Sequence, residues 1–410
     1  MSTSIGLFQQ FPNSVRMLLV LSMVRAVSFF ALLPFLPIYL HNEFGIGMEG
    51  VGYVLGLCML GGTLMSVYGG YMVDRFDKLR FMVVLNIVLG ALFFVLVPLH
   101  SKPAIFLILL LVNIGMSWMN VVGNVMLADL LPPDMRAKAV SLRYALQNIG
   151  AAVGPFLGVA LMRYDQGAPF FLAAILTLLS AALLLIFRAA FSSSSRESEP
   201  RQAPVGFGET LITMRRDRRL VLFTLGGICS MAAYGPLLTY LTQYLIVVQA
   251  TTNVYETIAW VSAANAVAVI SLQYIVGTWI KEARLLLWIT LGSGALVLGL
   301  LGLSISTALG IWIVAILIFT LGEIILAPAE FMLIDMIAPK NLRGSYFGAQ
   351  NMVYLGVTIG PIVCGLLLNH AQPAIMFYVM IGITILGWFL YYLGFRHTGV
   401  SKEHVFLGPS

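Results

Sequence analysis

Charged residues are scarce in this sequence: Asp, Glu, Lys and Arg make up 10% of the 410 residues, whereas 60% are hydrophobic. A soluble globular domain carries about 25% charge. The apolar residues form continuous runs of about 20 residues, the length of an α-helix that crosses a bilayer. A membrane β-strand would alternate apolar and polar residues instead. The sequence therefore excludes a soluble domain and an outer-membrane barrel, and it predicts an all-α, multi-pass membrane protein.

Residues with catalytic or metal-binding chemistry are also few. The three cysteines lie in apolar runs without CxxC spacing, and the five histidines lie in loops, in the tail or at the end of an apolar run. Neither set has the spacing of a metal site or of a disulfide framework. No GxxxxGK[ST] run is present to hold ATP phosphates. We therefore expect no enzyme activity, no metal, no cofactor and no nucleic-acid partner, and an ion gradient as the energy source.

The apolar runs predict twelve helical spans, and residues 1–15 lack the pattern of a cleavable signal peptide. The spans are 17–40, 51–73, 80–99, 104–128, 138–162, 168–190, 218–248, 254–279, 285–304, 308–334, 344–369 and 373–395. The one long polar stretch, residues 191–217, is expected to be a flexible or amphipathic linker. Residues 1–190 would then form one six-helix bundle, and residues 218–410 a second bundle with a short tail.

A repeated segment supports this division into two similar halves. At a constant offset of 206 residues, Met126, Leu127, Asp129 and Pro133 recur, as do Gly150 and the Gly-Pro pair that begins at Gly154. Each copy holds a short charged turn between two apolar runs, which indicates one helical hairpin used twice. Internal repeats of this kind are typical of transporters built from two related halves.

The basic residues indicate the orientation in the membrane. Of the 23 Lys and Arg residues, 19 lie in the termini, the linker and the even-numbered loops. Because cytoplasmic loops carry the excess of Lys and Arg, we expect a bacterial inner-membrane protein with both termini in the cytoplasm. Lys102 and Arg163 lie on the opposite side, and Arg25 and Arg143 lie within or at the edge of spans.

The run GYMVDRFDKLR at residues 70–80 resembles the loop motif GxxxDRxGRR of the major facilitator superfamily. The resemblance implies a transporter fold of two six-helix bundles that works as a monomer. It also implies a gate, in which a buried carboxylate and basic residues hold the cytoplasmic ends together in one state and release them in another. The implied gate residues are Gly70, Asp74, Arg75 and Lys78, with Asp129 and Asp335 as loop anchors. Asp77 stands where the family has Gly, and the alternative is a loop that only fixes topology.

Two further motifs point to export. Gly150, Gly154, Pro155 and Gly158 resemble the antiporter motif of the drug:proton antiporter branch, and Pro155 is expected to bend its helix. Ordinary small-residue packing is the alternative. The run LGEIILAPAE at residues 321–330 resembles a bacterial branch that includes multidrug and small-peptide exporters.

Two acidic residues within that last run are the candidates for proton coupling. Glu323 and Glu330 are seven residues apart, so they lie on one face of a helix. Pro328 between them removes a backbone donor and favours flexing. A carboxyl group in apolar surroundings holds its proton more readily than one in water. We expect Glu323 to be the main proton carrier and Glu330 the second, while a static hydrogen-bonded role is the alternative.

Embedded polar residues predict a substrate cavity, because charged groups within the bilayer usually face an internal space. Arg25 is a fixed positive charge that needs a carboxylate, either that of Glu330 or one supplied by the cargo. An arginine whose side chain extends to the cytoplasmic interface is the alternative. An embedded arginine together with the glutamates would suit a zwitterion, with its carboxylate at Arg25 and its ammonium group at a glutamate. The fourth span carries Asn113, Ser117, Asn120 and Asn124 on one stripe, without the arginine that the family often has there. The other cavity candidates are Arg143, Tyr144, Gln147, Tyr234, Tyr240, Trp260, Asn265, Gln273, Gln350 and Tyr354. Helix packing is the alternative for each of them.

The sequence thus predicts a secondary transporter that exports small organic molecules, such as drugs, dipeptides or amino-acid-like metabolites, in exchange for protons. Proton-coupled uptake of a nutrient remains an alternative within transport. A non-transporting receptor or scaffold is the alternative of another class.

Overall fold

The structure is a computed structural model that describes residues 8–33, 35–192, 206–248, 254–305 and 308–396. All regular elements in these ranges are helices. They are α1 (Asn13–Leu32), α2 (Leu36–Phe44), α3 (Met48–Leu64), α4 (Ser66–Arg75), α5 (Lys78–Leu96), α6 (Lys102–Leu130), α7 (Pro133–Met162), α8 (Ala168–Ile186), α9 (Ala189–Ser192), α10 (Phe207–Arg216), α11 (Arg218–Tyr234), α12 (Leu237–Val248), α13 (Val254–Trp279), α14 (Leu285–Ile305), α15 (Leu309–Ile337), α16 (Arg343–Gln350), α17 (Tyr354–His370) and α18 (Ile375–Arg396), with 3-10 turns at Glu282–Arg284, Lys340–Leu342 and Asn351–Val353.

Within the described ranges, 11 helices are long and apolar enough to cross a membrane, and up to 12 if the bent pair α11 and α12 is one span. The prediction of an all-α protein with multiple membrane-spanning helices is therefore confirmed. Of the predicted linker, the described part includes α10, whose Phe207 ring lies 5.2 Å from the rings of both Tyr68 and Tyr71. Residues 193–205 of the linker and the tail 397–410 lie outside the described residues.

Four predicted spans are interrupted rather than continuous. The first breaks between α1 and α2, where Pro37 in the first turn of α2 has no N–H to donate. The seventh breaks between α11 and α12 at Pro236 for the same reason, and the two helices meet at a bend of 40°. The prediction of single helices at 17–40 and 218–248 was wrong, because prolines end them.

The other two interruptions have no proline. At the α3–α4 junction, the Ser66 hydroxyl donates to the Thr63 carbonyl at 2.6 Å, so a side chain competes for a helix carbonyl. The eleventh span tightens into a 3-10 turn at Asn351–Val353, where the Asn351 amide donates to the Ser117 hydroxyl at 2.7 Å. The prediction of single uninterrupted helices at 51–73 and 344–369 was therefore wrong, and each interruption lies beside a side-chain hydrogen bond.

The two prolines that were expected to bend or flex a helix, by contrast, lie inside uninterrupted helices. α7 continues through Pro155 and α15 continues through Pro328. Each proline leaves one helix carbonyl without its usual backbone donor. Bending at these two positions stays a prediction.

The described helices form two compact units, each of which takes one short segment from the other half of the sequence. The first unit contains the chain up to Pro132 together with Arg143–Thr210 and Pro339–Asn351. The second contains Pro133–Leu142, Leu211–Ala338 and the described residues from Met352 onward. The start of α7 therefore lies in the second unit, and α16 lies in the first. The predicted domains, 1–190 and 218–410, did not include this exchange.

The repeated glycines bring helices close together within each unit. In the first unit, a Cβ atom at Gly150 would lie 2.9 Å from the Met23 carbonyl of α1, so only glycine allows this approach. In the second unit, the equivalent Gly356 faces the Ile228 carbonyl of α11. Both copies of the repeat thus use a glycine to pack against the first long helix of their unit.

We expect Gly154→Ala to lower the stability of the protein. A Cβ atom at Gly154 would lie 2.9 Å from the Ala31 backbone nitrogen, and overpacking of a core costs roughly 1–3 kcal/mol. The matched control is Gly294→Ala, because nothing lies within 4 Å of a Cβ at Gly294 and alanine favours a helix. Thermal unfolding in detergent should show a lower midpoint for Gly154→Ala and an unchanged or higher one for Gly294→Ala. Equal midpoints would contradict the packing role.

Candidate functional site

A buried carboxyl group in the second unit is held by hydroxyl groups from two neighbouring helices. Glu330 of α15 is 7% exposed. The Tyr391 hydroxyl of α18 donates to its Oε1 at 2.7 Å, and the Tyr234 hydroxyl of α11 donates to its Oε2 at 3.3 Å. The Ser230 hydroxyl lies 3.4 Å from the Tyr391 oxygen. We call Glu330, Tyr391, Tyr234 and Ser230 the carboxyl–phenol cluster.

Glu323 lies two turns earlier on α15 but has different surroundings. It is partly buried, and the Asn265 amide of α13 donates to its Oε2 at 3.3 Å. The same amide donates to the Thr320 hydroxyl at 2.9 Å. The two glutamates therefore share one helix, as predicted, but they have different hydrogen-bond partners.

Two other predicted residues of the second unit have hydrogen bonds to neighbouring helices. The Tyr240 hydroxyl donates to the Ala232 carbonyl at 2.6 Å, which joins α12 to α11. The Gln273 amide is buried and donates to the Ile324 carbonyl at 3.2 Å. Tyr354, at the start of α17, is 39% exposed. A role of these residues in binding cargo stays a prediction.

In the first unit, two arginines are held on successive turns of α6. Arg25 of α1 donates to the Asn120 side-chain oxygen at 3.3 Å, and Arg143 of α7 donates to the Asn124 side-chain oxygen at 2.5 Å. Two members of the predicted polar stripe of α6, Asn120 and Asn124, therefore accept hydrogen bonds from guanidinium groups.

The other members of the stripe have different contacts. Ser117 accepts from Asn351, and Asn113 donates to the Leu109 carbonyl of its own helix at 2.9 Å. Tyr144, Gln147 and Gln350 are partly buried. The sequence analysis thus assigned more residues to one site than the structure brings into contact with one another.

The predicted gate residues of the first unit meet at the beginning of α16. Asp74 accepts hydrogen bonds from the Gly344 and Ser345 backbone amides at 2.6 and 2.8 Å, and from the Ser345 hydroxyl at 2.6 Å. Its carboxylate thus occupies the N-terminus of a helix, where backbone donors and the helix dipole favour negative charge. Close contact between Gly70 and Gly344 allows the two backbones to approach.

In each unit, an ion pair joins the two copies of the repeated hairpin. Asp129 binds Arg343 at 2.7 Å and Lys78 at 3.1 Å within the first unit. Asp335, its counterpart in the repeat, binds Arg136 within the second unit. In both units, the aspartate that closes one copy of the hairpin therefore holds an arginine from the other copy.

Arg75 and Asp77 complete the loop. The Arg75 guanidinium lies over the Tyr71 ring at 4.7 Å. Asp77 caps α5 by accepting from the Arg80 backbone amide at 2.8 Å. Its backbone has φ of −62°, so the position does not need the glycine that the family motif has.

A helical bundle with carboxyl and guanidinium groups held inside apolar helices has the features of a membrane transporter. The family model of the Major Facilitator Superfamily matches residues 18–355. The chain belongs to this superfamily. It is therefore a multi-pass membrane transporter and not an enzyme, as the sequence predicted.

Several relatives cover nearly the whole chain. The MFS-type transporter YdeE of Escherichia coli K12 is 31% identical over 94% of this chain and 96% of its own length. The multidrug resistance protein MdtH of Shigella sonnei is 26% identical over 87% of each chain. A Na(+), Li(+), K(+)/H(+) antiporter of Planococcus maritimus is 25% identical over 85% of this chain and 88% of its own.

Solved structures support the fold. The transporter FucP in its outward conformation matches with a TM-score of 0.74 and 13% identity, over 93% of this chain and 98% of its own. A bacterial homologue of the iron transporter ferroportin matches with a TM-score of 0.72 and 16% identity, over 93% and 99%. At such low identity, these likenesses concern the fold alone.

We expect Tyr391→Phe to destabilise the protein through Glu330. The substitution removes the 2.7 Å hydrogen bond to a buried carboxyl oxygen, and an unsatisfied buried polar group costs roughly 1–3 kcal/mol. Unfolding titrations should show this loss for Tyr391→Phe, and a much smaller one when Glu330→Leu is already present. Tyr378→Phe, at an exposed position, is the control. Equal losses in both backgrounds would show that the hydroxyl does not act through Glu330.

Proposed function

We propose that the protein exports small organic molecules in exchange for protons by alternating access, as a monomer in the bacterial inner membrane with both termini in the cytoplasm. The carboxyl–phenol cluster is the observation that carries the proposal. In the described residues, Glu330 is bonded by hydroxyl groups and not by a lysine or arginine. A buried carboxyl group without a neighbouring cation is costly in its charged form, so its protonation changes with access to water.

The contacts favour Glu330 over Glu323 as the main proton carrier. Glu330 is more buried and has a hydrogen-bond donor on each oxygen. Protonation removes the charge and leaves both phenols able to donate to the carbonyl oxygen or to accept from the new O–H. Glu323, which is partly buried beside Asn265, is the second candidate. The sequence ranked the two in the opposite order.

The cargo class and the direction rest on the relatives and on the motif in α7. MdtH is named as a multidrug resistance protein, and the Planococcus protein is named as an exchanger of cations for protons. The first name fits drugs as cargo, and the second fits an exchange for protons. We therefore propose drugs, dipeptides or amino-acid-like metabolites as the cargo, and outward transport as its direction.

Alternating access also needs contacts that break between states. Asp74 and Asp129 bind α16, which comes from the second half of the sequence. Asp335 binds Arg136, which comes from the first half. We propose that these contacts are the gate, and that they separate when the cytoplasmic side opens.

We expect Glu330→Gln to abolish proton movement that depends on cargo. Glutamine keeps the size and one hydrogen-bond acceptor but cannot exchange a proton. Purified protein in proteoliposomes with a trapped pH-sensitive dye would be given dipeptides and lipophilic cations in turn, with Glu323→Gln as a second variant and Glu209→Gln, at an exposed position, as the control. Loss of cargo-dependent proton movement in Glu330→Gln but not in Glu209→Gln would support the proposal.

The other outcomes separate the alternatives. If only Glu323→Gln abolishes cargo-dependent proton movement, Glu330 is not the proton carrier. If proton movement survives both substitutions, neither glutamate is the carrier. Deletion in cells should raise the internal cargo concentration, whereas a fall would indicate uptake. A receptor or scaffold predicts no proton movement with any compound.

We expect Asp74→Asn to loosen the gate. The substitution removes a negative charge from the N-terminus of α16, an interaction of about 1 kcal/mol. The population in which α16 is separated should therefore rise roughly fivefold. A single cysteine at Ala349→Cys, in a protein whose native cysteines are replaced, would react with a water-soluble maleimide when α16 separates. Asp77→Asn is the matched control, because Asp77 caps α5 within its own half. An unchanged labelling rate would contradict the gate.

A further inference from the structure

The backbone carbonyl that Pro328 leaves unbonded in α15 is bound by a side chain from another helix. A proline inside a helix has no N–H to donate to the carbonyl four residues earlier, which in α15 is the carbonyl of Ile324. The Gln273 amide of α13 donates to this same carbonyl at 3.2 Å. We propose that Gln273 is a positioning residue for proton exchange, which holds α15 in one conformation at Pro328 and releases it in another. The link to proton exchange rests on the proposed function.

The replaced hydrogen bond lies between the two candidate proton carriers. Glu323 directly precedes Ile324 in the sequence, and Glu330 follows Pro328 by two residues. The two glutamates therefore lie on either side of the turn in which the backbone hydrogen bond is missing. A change of angle at Pro328 would move one glutamate relative to the hydrogen-bond partners of the other.

The partners of the two glutamates come from different helices. Before the proline, α13 binds α15 twice, because the Asn265 amide donates to Glu323 and the Gln273 amide donates to the Ile324 carbonyl. After the proline, Glu330 accepts from hydroxyl groups of α11 and α18. The Gln273 bond thus lies where α15 passes from one set of hydrogen-bond partners to the other.

The surroundings of this bond are dry. Ile324, Leu326 and Ala329 have no exposed surface, and neither has Gln273. Pro328 is buried as well. A buried carbonyl needs a hydrogen-bond donor from the protein when water does not reach it. The Gln273 amide therefore replaces the missing backbone N–H, and solvent does not.

The other polar atom of the same amide is unsatisfied. The Gln273 Oε1 atom is buried and accepts no hydrogen bond in the part of the chain that the structure describes. Turning the amide round would place this oxygen against the Ile324 carbonyl oxygen, so the bond fixes which atom is which. A buried acceptor without a donor costs free energy. A conformation that gives the oxygen a donor recovers this cost, which favours release of α15 from Gln273.

The first test asks whether Gln273 acts through the carbonyl that Pro328 leaves unbonded. Gln273→Leu removes the donor, and Pro328→Ala restores a backbone N–H for the Ile324 carbonyl. Hydrogen exchange of the backbone amides of residues 324–332 would be measured by mass spectrometry on the purified full-length protein, without cargo. Gln273→Leu should speed this exchange roughly fivefold, as expected for the loss of one hydrogen bond. The effect should be much smaller when Pro328→Ala is already present.

Two controls accompany this measurement. Gln243→Leu on α12 is the matched variant, because the Gln243 side-chain oxygen also lacks a donor in the described residues. It should leave the exchange of residues 324–332 unchanged. Amides of α5, a helix of the first unit, should exchange equally in all variants. If Gln273→Leu fails to fold, Gln273→Met keeps the length of the side chain, lacks the donor and should have the same effect.

The second test asks whether the bond matters for proton exchange. In proteoliposomes given a dipeptide or a lipophilic cation, Gln273→Leu should lower the maximal rate of cargo-dependent proton movement roughly fivefold, because the described conformation is less populated. The cargo concentration at half of the maximal rate should not change. Gln273→Leu combined with Pro328→Ala should be no slower than Pro328→Ala alone.

The outcomes separate this inference from the proposed function. Equal acceleration of hydrogen exchange with and without Pro328→Ala would show that Gln273 does not act through the Ile324 carbonyl. If Glu330→Gln abolishes proton movement but Gln273→Leu leaves its maximal rate unchanged, the positioning role is rejected and the proposed function stands. If proton movement survives both Glu330→Gln and Glu323→Gln, the proposed carriers are rejected, and so is the role of Gln273 in proton exchange, whatever the hydrogen exchange shows.

Discussion

The constraint that governs this structure is that polar groups among apolar helices must find partners inside the protein, because lipid offers none. The chain meets this requirement in three different ways. Glu330 is surrounded by hydroxyl groups, Arg25 and Arg143 are held by asparagine side chains, and Asp74 occupies the N-terminus of α16. Hydroxyl partners can donate to a carboxyl group or accept from it, and backbone N–H groups at a helix N-terminus offset part of the cost of burying a carboxylate. The same requirement thus gives each embedded polar group its own kind of partner.

The repeated hairpin shows how one sequence pattern gives two related units. Gly150 and Gly356 each allow close packing against the first long helix of their unit. The turn of each copy ends in an aspartate, and each aspartate binds an arginine that belongs to the other copy. Packing by glycine is local to a half of the sequence, while the charged turn joins the halves. One repeat therefore supplies both the rigid interior of a unit and the contacts that a gate needs.

The sequence predicted the helical class because long apolar runs are typical of membrane helices, and it predicted the family because several motifs resemble those of the superfamily. It did not predict the breaks near Met65 and Asn351, which contain no proline and lie beside side-chain hydrogen bonds. Tyr391 was missed as well. It lies 61 residues from Glu330 in an apolar helix, and nothing in its spacing distinguishes it from other buried tyrosines. Contacts between distant segments decide such partners, which a single sequence does not record.

The two units differ in the charges that they hold within the membrane. The first unit holds the half-buried Arg25 and Arg143, and the second holds the buried Glu330 and the half-buried Glu323 on α15. Under the proposed function, the proton binds to Glu330, whose two oxygens each have a hydroxyl partner. A cargo molecule need not contact this carboxyl group to be exchanged for the proton, because a ligand shifts an equilibrium by its difference in affinity between states. Exchange then acts through the conformations that the cargo and the proton each favour, so the groups that select the cargo can differ from the group that binds the proton.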